Sequence, residues 1–126
     1  MPFSWRQRLQ SFAFAWQGAV TLVRTQHNMW IHLAATAGVI MAGFFVGISR
    51  GEWALVVVAI GLVWMAEAFN TAIEFLSDEV SRERREGLGR AKDVAAFGVL
   101  CAAITAVVIG AVVFGPYVVA WWTEGV

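Results

Sequence analysis

The sequence predicts an all-α integral membrane protein, in which an N-terminal surface helix is followed by three transmembrane helices. Hydrophobic residues make up 60% of the 126 residues and charged residues only 14%, whereas soluble domains average roughly 25% charged. The mean hydropathy is +0.68. Residues 29–48 contain one titratable side chain and residues 94–115 contain no charge, so each stretch can cross a hydrocarbon core of about 30 Å. At this length we expect a single domain over residues 1–126.

Residues 2–27 predict an amphipathic helix that lies on the membrane surface. Apolar side chains recur through this stretch beside arginines and glutamines, which suits a helix with one face in lipid and the other toward headgroups. The apolar positions include Phe3, Trp5, Leu9, Phe12, Trp16 and Val20, and the polar positions include Arg6, Arg8, Gln10, Gln17 and Arg24. A soluble helix packed on a partner is the alternative interpretation.

The second transmembrane helix is expected over residues 53–80, because the apolar run of residues 53–66 continues into residues 67–78, which contain no glycine or proline. A short turn at residues 47–52 precedes this helix, and a charged loop at residues 81–92 follows it. The third span, residues 94–115, is followed by Pro116, which we expect to end or bend the helix. An aromatic belt is expected just beyond, at Tyr117, Trp121 and Trp122.

The basic residues predict the orientation of the chain in the membrane. Three arginines precede the first span and five basic residues lie between the second and third, so eight of the nine lie on one side, against Arg50 on the other. The positive-inside rule therefore predicts a multi-pass membrane protein with the N-terminus and the loop 81–92 in the cytoplasm.

A stripe of polar side chains occupies the second half of the predicted second span. At about 100° per residue, four side chains fall within an arc of roughly 80° on a helix: Glu67, Asn70, Glu74 and Asp78. A carboxylate that faces hydrocarbon needs a partner or loses its charge. We therefore interpret this polar stripe as a site that gathers cations or a polar substrate at the membrane surface. A solvated face, where the helix emerges into water, is the alternative.

The polar stripe and the basic loop are expected at the same end of the molecule, which suits a phosphate substrate carried with a divalent metal. Carboxylates hold Mg²⁺, basic side chains neutralise phosphate oxygens, and a carboxylate can take a proton from an attacking hydroxyl. The sequence has no Gly-x-x-x-x-Gly-Lys-[Ser/Thr] loop, no zinc-ligand spacing around His27 and His32, and one cysteine, Cys101, which cannot form an intrachain disulfide. Nucleic acid is not expected as a partner, because the basic residues are few and close to lipid.

Two segments of the chain resemble a known family. The first is Glu67-Ala-Phe-Asn70-Thr-Ala-Ile-Glu74 with Asp78, and the second is Gly89-Arg-Ala-Lys92-Asp93-x-Ala-Ala. Together they resemble the prokaryotic diacylglycerol kinase family, which includes undecaprenol kinases. The segments around Trp16 and from Asn28 to His32 resemble the N-terminal parts of that family, so the similarity covers roughly residues 8–100.

The resemblance implies an activity and an assembly. It implies small three-span subunits with a surface helix in the bacterial inner (cytoplasmic) membrane, assembled as a homotrimer with sites at the subunit boundaries. It also implies transfer of the γ-phosphoryl group of ATP to a lipid hydroxyl, with Mg²⁺ as cofactor. Diacylglycerol is the expected acceptor, giving phosphatidic acid, and undecaprenol is the alternative.

The resemblance also implies residue roles. Glu67 matches the general base and Glu74 matches a metal ligand. The residues that match those around the nucleotide and its phosphates are Asn70, Asp78, Glu83, Arg84, Arg85, Lys92 and Asp93. The residues that match regions near the lipid are Arg8 (or Arg6), Trp16, Asn28 and His32.

The chain departs from the family pattern at two positions. Gln26 stands where the family usually has a glutamate that serves as a second metal ligand. An amide oxygen can still coordinate Mg²⁺ but contributes no charge, so we keep Gln26 as a predicted ligand. Phe97 stands where the family often has a small residue, so the start of the third span is expected to pack differently.

Two functions of other classes fit part of the pattern. A small ion-conducting oligomer also needs carboxylates in a membrane helix, but it predicts polar residues deep in several spans. Outside the second span, these are limited to His32, Thr36 and Thr105. A non-catalytic membrane scaffold leaves the polar stripe unexplained.

Overall fold

The computed structural model describes residues 3–125, which form four α-helices joined by short connections. The helices are α1 (Trp5–Thr25), α2 (Asn28–Val46), α3 (Arg50–Val80) and α4 (Glu86–Glu124). Within the described range, α2, α3 and α4 are long and apolar enough to cross a membrane. This confirms the prediction of an all-α protein with three helices able to span a bilayer. Pro2, where the predicted surface helix begins, lies outside the described residues.

The first helix lies beside the helix that carries the polar stripe. Most side chains of α1 are exposed, and Leu22 is its buried residue. A groove of about 560 Å³ separates small residues of α1, such as Gly18, from Ala68 and Thr71 of α3. Gln26 then leaves the helix in an extended conformation, and α2 begins two residues later. The connection between α1 and α2 is therefore too short for the two helices to separate widely.

Two glycines shape the end of α2. Gly47 has φ of +75° and ends the helix, because glycine adopts the left-handed conformation without the penalty of a Cβ atom. Gly43 is buried, and a Cβ atom there would lie 2.7 Å from Cη2 of Trp53. Glycine at position 43 thus lets the Trp53 indole of α3 pack directly against the backbone of α2.

The third helix begins at Arg50, three residues before the predicted span, because a capping box fixes its first turn. The Ser49 hydroxyl accepts a hydrogen bond from the Glu52 N–H at 3.3 Å, and the Glu52 carboxylate accepts one from the Ser49 N–H at 2.7 Å. The Ser-x-x-Glu signature of this cap lies in the segment that we interpreted as a turn. Tyr117 Oη also donates to Glu52 Oε2 at 2.8 Å. This hydrogen bond ties the start of α3 to the C-terminal part of α4.

The fourth helix is longer than the predicted third span at both ends. The irregular segment is limited to residues 81–85, not 81–92, and α4 begins at Glu86. An ion pair between Glu86 and Arg90 stabilises its first turns. Pro116 does not end the helix, which continues to Glu124. At 1.5 Å per residue, its 39 residues extend about 58 Å, well beyond a hydrocarbon core of about 30 Å.

The buried apolar cluster lies near the connection between α2 and α3. Ile48, Val56 and Val113 form this cluster, and Phe114 and Tyr117 pack against it. These contacts explain why α4 continues past Pro116, although proline removes one backbone hydrogen bond. Tertiary packing supplies the stabilisation that the local sequence lacks. The polar stripe begins at Glu67, about three helical turns further along α3 than Val56.

Candidate functional site

The polar stripe runs along α3 and contacts a different neighbour at each end. Glu67 is only 4% exposed, and its side chain contacts α2. Asn70 and Glu74 are half-buried, and Asp78 is exposed and contacts α4. The burial of Glu67 favours a site over a solvated face, because that face would leave the carboxylate in water.

Glu67 makes a hydrogen bond to His32, a residue of the neighbouring helix. The distance between His32 Nε2 and Glu67 Oε1 is 2.8 Å. One turn away, Trp64 Nε1 donates to the Thr36 hydroxyl at 3.1 Å. Two polar contacts thus join α2 and α3 side by side, and one of them involves the buried carboxylate.

The middle of the polar stripe contains polar atoms without partners. Asn70 Nδ2 lies 3.5 Å from Glu74 Oε1, at the limit of a hydrogen bond. Asn70 Oδ1 is buried and has no hydrogen-bond partner among residues 3–125, and the same is true of the Thr71 hydroxyl. A buried oxygen without a partner is costly in a folded chain. Asn70 therefore turns its amide nitrogen toward Glu74 and leaves its amide oxygen without a donor.

Lys92 forms an ion pair with Asp78 at the exposed end of the polar stripe. Its Nζ lies 2.7 Å from Asp78 Oδ1, and the two side chains are 39% and 57% exposed. A pair this exposed contributes at most about 1 kcal/mol to stability. The cost of moving Lys92 from Asp78 to a phosphate is correspondingly small.

The other predicted site residues are not brought to the polar stripe by a hydrogen bond or ion pair within residues 3–125. Glu83, Arg84 and Arg85 are exposed in the segment between α3 and α4, and Asp93 is exposed on α4. Arg8 and Trp16 are exposed on α1, where the Arg8 guanidinium lies 5.5 Å from the centre of the Phe3 ring. Asn28 is the exposed first residue of α2. The Gln26 side chain donates to the Thr25 hydroxyl at 3.4 Å.

The sequence interpretation missed the contact between His32 and Glu67. We grouped His32 with residues near the lipid, and no local pattern relates two residues 35 positions apart. The one available signal was that each is a titratable side chain in an otherwise apolar stretch. Such residues in membrane helices often pair with one another.

The donor atoms of the polar stripe suit Mg²⁺ better than a transition metal. Within the described residues, no three His, Cys, Asp or Glu side chains gather closely enough to hold a metal ion. Mg²⁺ does not need such a cage, because it keeps several waters and binds one or two carboxylates together with substrate phosphates. The Glu74 carboxylate and the unpartnered Asn70 oxygen are hard oxygen ligands of this kind. The residues present therefore fit Mg²⁺.

These features define a small helical membrane protein with a carboxylate site at one end of its longest apolar helices. A family model described as prokaryotic diacylglycerol kinase matches residues 13–114. The chain is 35% identical over 107 residues to an undecaprenol kinase of Bacillus subtilis, covering 85% of this chain and 87% of that one. It is 36% identical over 109 residues to a diacylglycerol kinase of a Synechocystis species, covering 86% of this chain but 62% of that relative's length.

The chain therefore belongs to the prokaryotic diacylglycerol kinase family and is a lipid kinase. This confirms the family resemblance of the two sequence segments. It also favours an enzyme over the ion-conducting oligomer and the membrane scaffold.

Proposed function

We propose that the protein transfers the γ-phosphoryl group of ATP to the hydroxyl of diacylglycerol and so produces phosphatidic acid. The observation that carries this proposal is the buried Glu67 carboxylate at the head of the polar stripe, in a chain of this kinase family. A kinase that acts on a lipid needs an acceptor site within the membrane and a phosphate site near water. The polar stripe extends from a buried end to an exposed end and meets both needs.

In this proposal Glu67 is the general base. The lipid hydroxyl oxygen attacks the γ-phosphorus, and a new O–P bond forms while the bond to the β–γ bridging oxygen breaks. The electron pair of that bond leaves with ADP, and the hydroxyl proton goes to the Glu67 carboxylate. Burial suits this role, because it keeps bulk water away from the reacting groups.

Glu74 and Asn70 would hold Mg²⁺, and Gln26 would add a neutral oxygen ligand. When bound, the metal would neutralise negative charge on the phosphate oxygens of ATP. Glu67 and Glu74 are seven residues apart, so they lie about 10 Å apart along α3 at nearly the same angle around it. This separation leaves room for the acceptor hydroxyl and the transferred phosphoryl group between the two carboxylates.

Residues at the exposed end of the polar stripe would bind ATP. Lys92 would move from Asp78 to the phosphates, a change that the exposure of this pair makes inexpensive. Asp93 and the segment that contains Glu83, Arg84 and Arg85 would contact the nucleotide. Their exposure between α3 and α4 supports this proposal, because ATP arrives from water.

The lipid would enter laterally, beside the first helix. We propose that α1 lies on the membrane surface as an amphipathic helix, with Arg8 and Trp16 near headgroups, as the sequence pattern suggests. Asn28 and His32 would lie near the lipid hydroxyl, and the hydrogen bond from His32 to Glu67 supports this placement of His32.

We further propose that the protein is a homotrimer of the bacterial inner membrane, with its polar stripe at the cytoplasmic face. Two observations support assembly: three spans enclose a polar site poorly, and the buried Thr71 hydroxyl has no hydrogen-bond partner within residues 3–125. The distribution of basic residues supports the orientation.

Lipid-dependent ADP release tests the proposed function. Purified protein in mixed micelles with ATP and Mg²⁺ should release ADP when dioleoylglycerol is present and should form labelled phosphatidic acid from γ-labelled ATP. Micelles without an acceptor lipid are the control. No lipid-dependent ADP release and no labelled lipid would contradict the proposal.

Undecaprenol is the second candidate acceptor. The segment from Asn28 to His32 resembles undecaprenol kinases, and the relative of which this chain covers 87% carries that name. The same assay with undecaprenol at equal mole fraction decides between the acceptors, because the preferred one gives the higher kcat/KM.

A further inference from the structure

The Glu67 side chain is buried in the contact between α3 and α2. The residue is 4% exposed, and its partner His32 also borders a groove lined by apolar residues such as Val63 and Ala103. A buried carboxylate oxygen needs a hydrogen-bond donor beside it. A general base must be ionised before it accepts a proton, so the identity of the donor matters to the chemistry.

His32 is the donor that the fold supplies. Its Nε2 lies 2.8 Å from Oε1 of Glu67, and it is the hydrogen-bond partner of that side chain within residues 3–125. A carboxylate has no hydrogen to donate, so the imidazole must carry its proton on Nε2 when Glu67 is ionised. The other oxygen, Oε2, is then available to accept a proton from a substrate.

The contact between His32 and Glu67 differs from the other polar contact between the same two helices. Thr36 and Trp64 join α2 to α3 one turn away through a neutral hydrogen bond. That contact involves no carboxylate. The pair formed by His32 and Glu67 adds a donor directed at a group that the chemistry uses.

We propose that His32 is the positioning residue of Glu67: its Nε2–H donates to Oε1 and orients the carboxylate, so that Oε2 accepts the proton of the lipid hydroxyl. This inference rests on the proposed function, in which Glu67 is the base. It adds to the proposed position of His32 near the lipid hydroxyl a role that acts through Glu67.

Steady-state kinetics of His32 variants test this role. His32→Leu removes the donor, whereas His32→Gln retains an amide N–H that reaches about as far as Nε2. We expect His32→Leu to lower kcat about 10- to 100-fold, with the KM for ATP within about twofold, because a positioned base contributes on the order of 10²–10⁴ in rate. His32→Gln should retain activity within about fivefold of the wild type. Thr36→Val, which removes the neighbouring hydrogen bond, is the matched control and should leave kcat unchanged.

A double variant separates a positioning role from a structural one. If His32 acts through Glu67, then His32→Leu should cause no further loss in a Glu67→Gln background, because the group that it positions is already absent. Thermal unfolding in detergent, measured for each variant, shows whether the protein is folded. Equal additional losses in both backgrounds, an unchanged kcat in His32→Leu, or a failure of His32→Gln to rescue would each overturn the proposal.

The failure of this inference differs from the failure of the proposed function. Two results contradict the assignment of Glu67 as base: a wild type that phosphorylates no lipid, or a fully active Glu67→Gln variant. Either result also contradicts the role of His32, which depends on that assignment. A strongly impaired Glu67→Gln variant beside a fully active His32→Leu variant contradicts only the role of His32.

Discussion

At the scale of single residues, the polar stripe is a gradient of exposure along one helix face. Glu67 is buried, Asn70 and Glu74 are half-buried, and Asp78 is exposed. The same side-chain chemistry therefore serves different purposes. A buried carboxylate suits proton transfer, whereas partly solvated oxygens suit a hydrated cation such as Mg²⁺.

The role of Glu74 as a metal ligand predicts a change in metal dependence. Glu74→Gln should raise the Mg²⁺ concentration for half-maximal activity at least about tenfold, because it removes the one charged ligand that we assign to the metal. Titration of lipid kinase activity with MgCl₂ at fixed ATP measures this. Glu79→Gln is the matched control, since Glu79 is exposed on the same helix and lies outside the polar stripe. A Glu74→Gln variant with an unchanged Mg²⁺ requirement would remove Glu74 from the metal site.

At the scale of helices, contacts distant in sequence decide where the elements end. The periodicity of α3 was sufficient to predict which four polar side chains share a face. The start of α3 was missed although its signal, Ser49-x-x-Glu52, is local. The continuation of α4 past Pro116 had no local signal, because it depends on Glu52 and on the apolar cluster with Val113.

The hydrogen bond between Tyr117 and Glu52 should stabilise the C-terminal part of α4. Tyr117→Phe removes only the hydroxyl and should lower the midpoint of thermal unfolding in detergent by a few degrees, because Glu52 loses one of its two donors. Lipid kinase activity at low temperature should be unchanged, since this contact lies far along α3 from the polar stripe.

Thr123→Val is the matched control for this prediction. The Thr123 hydroxyl bonds only backbone carbonyls of its own helix within the described residues, so its loss should leave the unfolding midpoint unchanged. Equal unfolding midpoints for Tyr117→Phe and the wild type would show that the hydrogen bond between Tyr117 and Glu52 does not stabilise α4.

At the scale of the whole molecule, sequence alone predicted the all-α class, the number of apolar helices and the family, and the chemistry of the site stays a prediction. The sequence did not predict which side chains meet between helices. The pairs His32 with Glu67 and Lys92 with Asp78 join residues 35 and 14 positions apart. Such pairs depend on the register between helices, which hydropathy does not specify. Lys92 and Asp78 carry opposite charges and were expected at the same end of the molecule. The pair of His32 and Glu67 had no comparable signal.

The proposed orientation predicts which ends of the helices face the cytoplasm. Cys101 is the sole cysteine, so a Cys101→Ala background accepts single reporters. Arg82→Cys should react with a membrane-impermeant maleimide only in inside-out vesicles. Arg50→Cys, at the opposite end of α3, should react only in intact spheroplasts. The reverse pattern would place the polar stripe on the outer face, away from cytoplasmic ATP.

The most direct test of the account is the rate of phosphoryl transfer by Glu67→Gln. This change keeps the size and a hydrogen-bonding oxygen but removes the base. The account predicts that transfer of label from γ-labelled ATP to dioleoylglycerol, or to undecaprenol if that is the preferred acceptor, falls by about 10²–10⁴ in kcat. ATP binding and the unfolding midpoint should stay close to those of the wild type. A Glu67→Gln variant that transfers label at the wild-type rate would contradict the central claim that the buried carboxylate of α3 performs the chemistry.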